Sequence, residues 1–239
     1  MAPRAIDAVR GQLNRGIVAL TLLVLGPAIV VAERLRAGAG RRVAVGTLRR
    51  LARVCGLRLE VLGTELLDPG RTYVFVPNHT SHLDVVVLFL ARPDATFVAT
   101  HELFSIPILA AAMRALGTIP IDRRDRRGAG EQLDAMGSPG APTDFVVFAE
   151  GGIVPAGERW RFKTGAAVLA LQTGAALVPV AIHGAAELAP PTRRLLVRPG
   201  LVRVELLAPI STDGLTLADR KHLRTEVEDA VRSAISSAN

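Results

Sequence analysis

The sequence predicts an α/β fold: a central, mostly parallel sheet flanked by helices, preceded by an N-terminal helical segment suited to a membrane surface. Three observations predict it. Beyond residue 60, short β-rich runs alternate with stretches of helical pattern, as they do when helices are layered on a sheet. Several of the short runs, "FVVF" at 145–148 and "LVPVAI" at 177–182, are apolar throughout, which is expected of strands covered on both faces. The charge is also lopsided. The first 60 residues carry 11 arginines against three acids (Asp7, Glu33 and Glu60), a net +8, while the other 179 sum to −1.

That distribution argues against nucleic acid as a partner, because a domain that grips nucleic acid needs its basic residues on the folded core. Here they flank residues 16–32, "GIVALTLLVLGPAIVVA", 17 residues without a charge. That length is the short edge for a helix crossing a bilayer. Arg4, Arg10 and Arg15 precede it and Arg34, Arg36, Arg41 and Arg42 follow, so the flanks set no orientation. Gly26-Pro27 should weaken a helix at its middle. A segment dipping into one leaflet or lying in the interface, with its arginines on anionic lipid head groups, suits these features better than a clean span. A buried core helix is the competing reading. A secretory signal fits less well, since no small-residue cleavage site precedes a mature start. Hydrophobic residues make up 49% of the chain and aromatics 4%, so the core should be aliphatic. A lone cysteine, Cys55, excludes an intramolecular disulfide and suits a reducing compartment.

Past residue 60 the runs at 72–77, 96–100, 118–121, 145–148, 177–182 and 202–206 read as strands, with a further one at 195–197. Helical stretches fall at 81–91, 106–116, 129–136 and 164–173, and "GSPGAP" at 137–142 reads as a loop. In the tail, 217–237, charges are interleaved with Leu223, Val227, Ala230, Val231 and Ile235, the pattern of an amphipathic helix packed on the domain. Three parts result: residues 1–60, a basic apolar membrane-associating segment; 61–215, the α/β domain; and 216–239, the C-terminal helix.

The chemistry concentrates between the first of these strands and the helix after it, in Asn78-His79-Thr80-Ser81-His82-Leu83-Asp84. Ser81 followed three residues later by Asp84 forms a capping box, which would satisfy the free N–H groups of a helix start. The same acid can reach back to the imidazole of His79 at the strand's end, where α/β proteins place their chemistry. Such a pair fixes the tautomer and makes the other ring nitrogen a general base for a hydroxyl. No G-x-S-x-G elbow points to a serine nucleophile. His79, His82 and Asp84 could also ligate a metal, but the spacing is not H-E-x-x-H and no further His/Cys pair closes a site. Neither a metal nor a cofactor is expected.

The block N-H-T-S-H-L-D resembles the first signature of the 1-acyl-sn-glycerol-3-phosphate acyltransferases, a histidine, four residues and an aspartate. Three further blocks follow in that family's order: "ELFSIPILAAAMRALGTIPIDR" at 102–123, "VVFAEGG" at 146–152 and "FKTGAAVLALQTGAALVPVAIHG" at 162–184. The resemblance spans residues 57–210. It implies a glycerolipid acyltransferase-like fold and acyl transfer from acyl-coenzyme A or acyl-carrier protein to a hydroxyl of a lyso-lipid, in phospholipid biosynthesis. It implies His79 and Asp84 as the catalytic pair and Arg123, Glu150 and Gly151 as the lining of the acceptor site; Asn78 and Ser81 beside the pair, and Lys163 at a helix start where it could meet phosphate or water, are the further substrate-binding candidates. It also implies an N-terminal helix pair seated on the cytoplasmic face of the cell membrane. Arg123 is the expected ion-pair partner of a buried Glu150. The third block departs from the family's Phe-Pro-Glu-Gly-Thr-Arg: Ala149 replaces the proline, and Gly152 and Ile153 replace Thr and Arg. Losing that arginine removes a bidentate phosphate partner, which suggests an acceptor without an exposed phosphomonoester. A His–Asp hydrolase acting on lipid esters or thioesters, and a lipid-binding protein without turnover, are the other two readings.

Overall fold

The computed structural model describes residues 5–121, 144–154, 160–193 and 195–237. In chain order the elements are α1 (Ala5–Leu35), α2 (Ala39–Cys55), β1 (Leu57–Leu62), β2 (Tyr73–Pro77), α3 (His82–Ala91), β3 (Thr96–Thr100), α4 (Pro107–Ala115), β4 (Ile119–Ile121), β5 (Phe145–Val147), α5 (Gly165–Thr173), β6 (Ala176–His183), the single turn α6 (Ala185–Leu188), β7 (Gly200–Leu206) and α7 (Arg220–Ser237). The seven strands form one sheet in the order β1-β7-β6-β2-β5-β3-β4. All neighbours are parallel except β6 and β7, so β1 and β7 run against the other five.

Both faces of the sheet are covered, which is why β2 and β6 are apolar at nearly every position. Val74, Val76, Phe145, Val147 and Leu177 pack under α5 and α7 on one side. Tyr73, Phe75, Val146, Val178 and Val180 pack against α3 on the other. Alternate residues of one strand therefore serve two cores.

The N-terminal segment is a helical hairpin packed on this domain. Leu25 and Ile29 of α1 join Ala44 of α2, Phe89 of α3 and Ala112 of α4 in a third apolar cluster. Buried Asn14 ties α1 down through its amide N–H₂, which donates to the carbonyls of Cys55 (3.1 Å) and Val197 (2.9 Å). The hairpin turn is held by Glu33, which accepts from the N–H groups of Gly38 (2.9 Å) and Gly40 (3.0 Å). Those bonds hold its carboxyl below the usual range. Arg41 of α2 then reaches the carbonyls of Pro93, Ala95 and Leu116, pinning the hairpin to the loops around β3 and α4.

The structure differs from the sequence expectations at four places. Helix α1 runs unbroken through Gly26 and Pro27. Gly26 is there for close approach, since a Cβ on it would stand 2.8 Å from the Ile108 side chain. Within α1, Leu13–Leu35 is 23 residues containing an 18-residue window of mean hydropathy 2.2, long and apolar enough to cross a membrane. Residues 195–197 are not a strand: Leu195 has φ +61°, in the left-handed region, and Leu196 N–H closes a turn on Arg193. Strand β1 begins at Leu57, so a boundary at residue 60 cuts through it. It alternates Leu and Val with Arg58 and Glu60 because it lies at the sheet's edge. The helix expected at 129–136 and the loop at 137–142 lie outside the described residues.

Candidate active site

The site forms where β2 and β5, parallel neighbours, both end. The turn after β2 carries His79, and the turn after β5 carries Glu150-Gly151. Two backbone bonds stitch the turns together: His79 N–H donates to Glu150 Oε1 (2.9 Å), and Val154 N–H donates to the His79 carbonyl (2.9 Å).

Helix α3 opens on Ser81, whose Oγ accepts from Leu83 N–H at 3.1 Å, with Asp84 completing the capping box. Asp84 is fully buried. Its Oδ2 accepts from the N–H groups of Thr80 and Ser81, both at 2.7 Å, and lies 3.1 Å from His79 Nδ1. The two backbone donors leave Oδ2 only an acceptor's role, so Nδ1 carries its proton and Nε2 keeps its lone pair. The cap and the histidine partner are therefore one carboxylate, and both sequence readings hold together. The imidazole also stacks on Phe148, with centroids 4.2 Å apart and rings tilted by 38°. Locked on both sides in this way, His79 presents Nε2 in a fixed direction.

Glu150 is buried, and apart from the bond to His79 its second oxygen has no partner among the described residues. Burial pushes its carboxyl up to about 8, against the lowering effect of the His79 N–H, and the charges of Asp84 and Glu228 add to the rise. At neutral pH it is mostly a neutral acid. The expected ion pair with Arg123 falls outside the described residues.

Gly151 has φ +80°, and a Cβ on it would stand 2.6 Å from Lys163 Nζ. The exposed Lys163 thus lays its ammonium against the Gly151 turn, and its own N–H donates to the Ala149 carbonyl (2.8 Å). Gly152 faces open space and Ile153 is half-buried beside it.

Asn78 and Ser81 sit in the site but face away from it. The Asn78 amide is engaged at both ends by Ile182, donating to its carbonyl (3.1 Å) and accepting from its N–H (2.7 Å). The Ser81 hydroxyl donates to Ala189 (2.6 Å). These two residues brace the turn against β6 and α6. His82, the residue after the cap, is exposed. Among the described residues no three His, Cys, Asp or Glu side chains gather as metal ligands would. Sequence reasoning missed Phe148 as the ring supporting His79; its place at the end of "FVVF", level with the end of β2, was the available signal.

A family model described as Acyltransferase matches residues 58–183, more than half of the chain. The 1-acyl-sn-glycerol-3-phosphate acyltransferase alpha of Mus musculus is 30% identical over 179 residues, 74% of this chain and 63% of the relative. The chloroplastic 1-acyl-sn-glycerol-3-phosphate acyltransferase LPAT1 of Arabidopsis thaliana is 32% identical over 160 residues, 64% of this chain and 44% of the relative. The chain thus spans about half the length of these curated relatives. The crystal structure of the 1-acyl-sn-glycerophosphate (LPA) acyltransferase PlsC from Thermotoga maritima shares the fold, with a TM-score of 0.74 at 24% identity over 97% of this chain and 95% of that one. The chain belongs to the acyltransferase family.

Proposed function

We propose that this protein transfers a fatty acyl group from an acyl thioester to a hydroxyl of a lyso-lipid, 1-acyl-sn-glycerol 3-phosphate or a related one, at a membrane surface. The observation that carries the reading is the His79–Asp84 pair at the end of β2, bonded at 3.1 Å with its tautomer fixed. Nε2 takes the proton from the acceptor hydroxyl as the hydroxyl oxygen attacks the thioester carbonyl. Asp84 stabilises the imidazolium that forms. Collapse of the tetrahedral intermediate expels the carrier thiolate, which takes the proton back from His79. Backbone N–H groups of the Gly151-Gly152 turn are candidates to steady the oxyanion.

The donor is acyl-coenzyme A or acyl-carrier protein. The curated relatives named above support a lyso-lipid acceptor. Its head group would meet the Lys163 ammonium, with Gly152 and Ile153 where the family pattern has Thr and Arg. This favours head groups that do not need a bidentate guanidinium. Membrane seating is supported by the apolar stretch of α1, where Leu20, Leu23 and Leu35 are exposed, and by exposed Arg42, Arg49, Arg50 and Arg53 on α2, placed for anionic head groups. Acyl-coenzyme A and acyl-carrier protein as donors would put the site on the cytoplasmic side.

The test incubates detergent-solubilised protein with labelled acyl-coenzyme A or acyl-carrier protein and three acceptors: 1-acyl-sn-glycerol 3-phosphate, lysophosphatidylglycerol and monoacylglycerol. Acylated lipid from the wild type and none from His79→Ala is expected. Free fatty acid as the sole product would replace the transferase with a hydrolase.

A further inference from the structure

Helix α7 lies beyond the matched family region, yet it grips the segment that delivers Lys163. Glu228, buried on α7, accepts from Phe162 N–H at 2.9 Å through Oε2. Arg224 and Arg232, one turn to either side, hold the same carboxylate at 3.2 and 2.7 Å. Arg232 also donates to the Trp160 carbonyl at 3.3 Å, and its guanidinium lies 4.7 Å over the Trp160 ring. The Phe162 ring is buried with Leu223, Val227 and Val231 of α7. The next residue along is Lys163, whose N–H is taken by the carbonyl of Ala149, immediately before Glu150.

A buried carboxylate between two arginines on its own helix is often only a structural clamp. This one reaches off the helix to a backbone N–H one residue from the site's cation. We propose that Glu228 is a positioning residue of the acceptor site: through Phe162 it sets where the Lys163 ammonium stands against the Gly151 turn. The inference rests on the reading of Lys163 as the anchor of the acceptor head group. A second link runs through charge. Glu150 accepts from His79 N–H, the charges of Asp84 from the β2–α3 side and of Glu228 from α7 raise its carboxyl, and the Lys163 ammonium lies against the neighbouring Gly151. Removing the negative charge of Glu228 should therefore let Glu150 ionise at lower pH.

The test measures acceptor KM, kcat and the thermal midpoint for wild type, Glu228→Ala, Glu228→Gln, Lys163→Met and the double variant Glu228→Ala/Lys163→Met, with the best acceptor of the panel. Losing a charge-assisted bond to Phe162 should raise the acceptor KM about tenfold in Glu228→Ala with kcat held within about twofold. The double variant should be no worse than Lys163→Met alone, because both act on one contact. Glu228→Gln keeps an oxygen for Phe162, so it should restore KM to within about threefold while Glu150 ionises at lower pH. If Glu228→Ala does not fold, Arg232→Met carries the same cycle from the exposed side of the clamp. A fall in thermal midpoint with unchanged KM, or KM effects that multiply in the double variant, would overturn the inference and leave the transferase intact. A Lys163→Met variant with wild-type KM overturns the reading of Lys163 and the inference with it. Transfer that survives His79→Ala overturns the reaction proposed for the site.

Discussion

Asp84 carries two loads on one oxygen, and they can be pulled apart. Ser81→Ala removes a helix cap and the bond to Ala189 but touches nothing on His79, so it should cost about 1–2 kcal/mol of stability with kcat nearly unchanged, read by denaturant unfolding beside the acyl-transfer assay. Asp84→Asn should instead lower kcat by about 10²–10⁴, because an amide cannot hold the Nδ1–H tautomer while it accepts from two backbone groups. Equal losses of activity in both variants would return Asp84 to a purely structural part. Glu150 makes a separate prediction. Its carboxyl is raised in the fold from 4.5 to about 8, so the folded state holds a proton that the unfolded chain has given up. Stability from this group is fully present below 4.5 and is lost as pH rises to about 8. Glu150→Gln should flatten that decline, measured as the thermal midpoint across the interval. That His79, Asp84 and Glu150 would lie together was legible from two strand ends and the helix start after the first. That Asn78 and Ser81 turn away was not, because a hydroxyl or amide beside a catalytic group looks the same in sequence whether its partner is substrate or the backbone of Ile182 and Ala189.

Among the elements, a strand buried on both faces was found well, because an unbroken apolar run leaves little else to be: Tyr73–Pro77, buried at every position, came out to within one residue. Thr96–Thr100, only half-buried, came out residue for residue. Strand β1 was missed because an edge strand with one wet face alternates, and Arg58 and Glu60 continue the charge pattern of the preceding helix. The run at 195–197 failed for the opposite reason: Leu196 and Val197 are buried, but as parts of a loop whose backbone turns at Leu195. Helix α1 kept going through Pro27 because packing along it outweighs one lost intrahelical bond. The Gly151 turn gives the prediction that belongs at this scale. Ala at φ +80° is strained by about 1–2 kcal/mol, and its methyl would also displace the Lys163 ammonium. Gly151→Ala should therefore lower the thermal midpoint and raise acceptor KM together. A midpoint shift with KM untouched would place Lys163 away from the acceptor.

For the whole molecule, the hairpin of α1 and α2 is part of the same packed body as the sheet, so the catalytic turn keeps a fixed attitude to whatever surface the hairpin meets. If that surface is anionic, binding to phosphatidylglycerol-containing vesicles should weaken as salt rises from about 0.05 to about 0.5 M, where screening shortens to a few ångströms. Replacing Arg49, Arg50 and Arg53 with Gln should weaken it at low salt, with no effect on neutral vesicles; sedimentation with vesicles reads both. The sequence showed the basic, apolar N-terminus but not its docking, which depends on Asn14 and Arg41 finding carbonyls far along the chain. The pairing of β1 with β7 has a consequence in time. Among the described residues Leu57 takes its register from Gly200, so the earliest strand of this sheet is among the last to be matched. While everything between is made, β1 would wait as an open edge beside the helices that precede it. A nascent chain tethered early by α1 would thus complete its sheet at the lipid surface, and β1 would be sheltered there from other unfinished chains until β7 arrives.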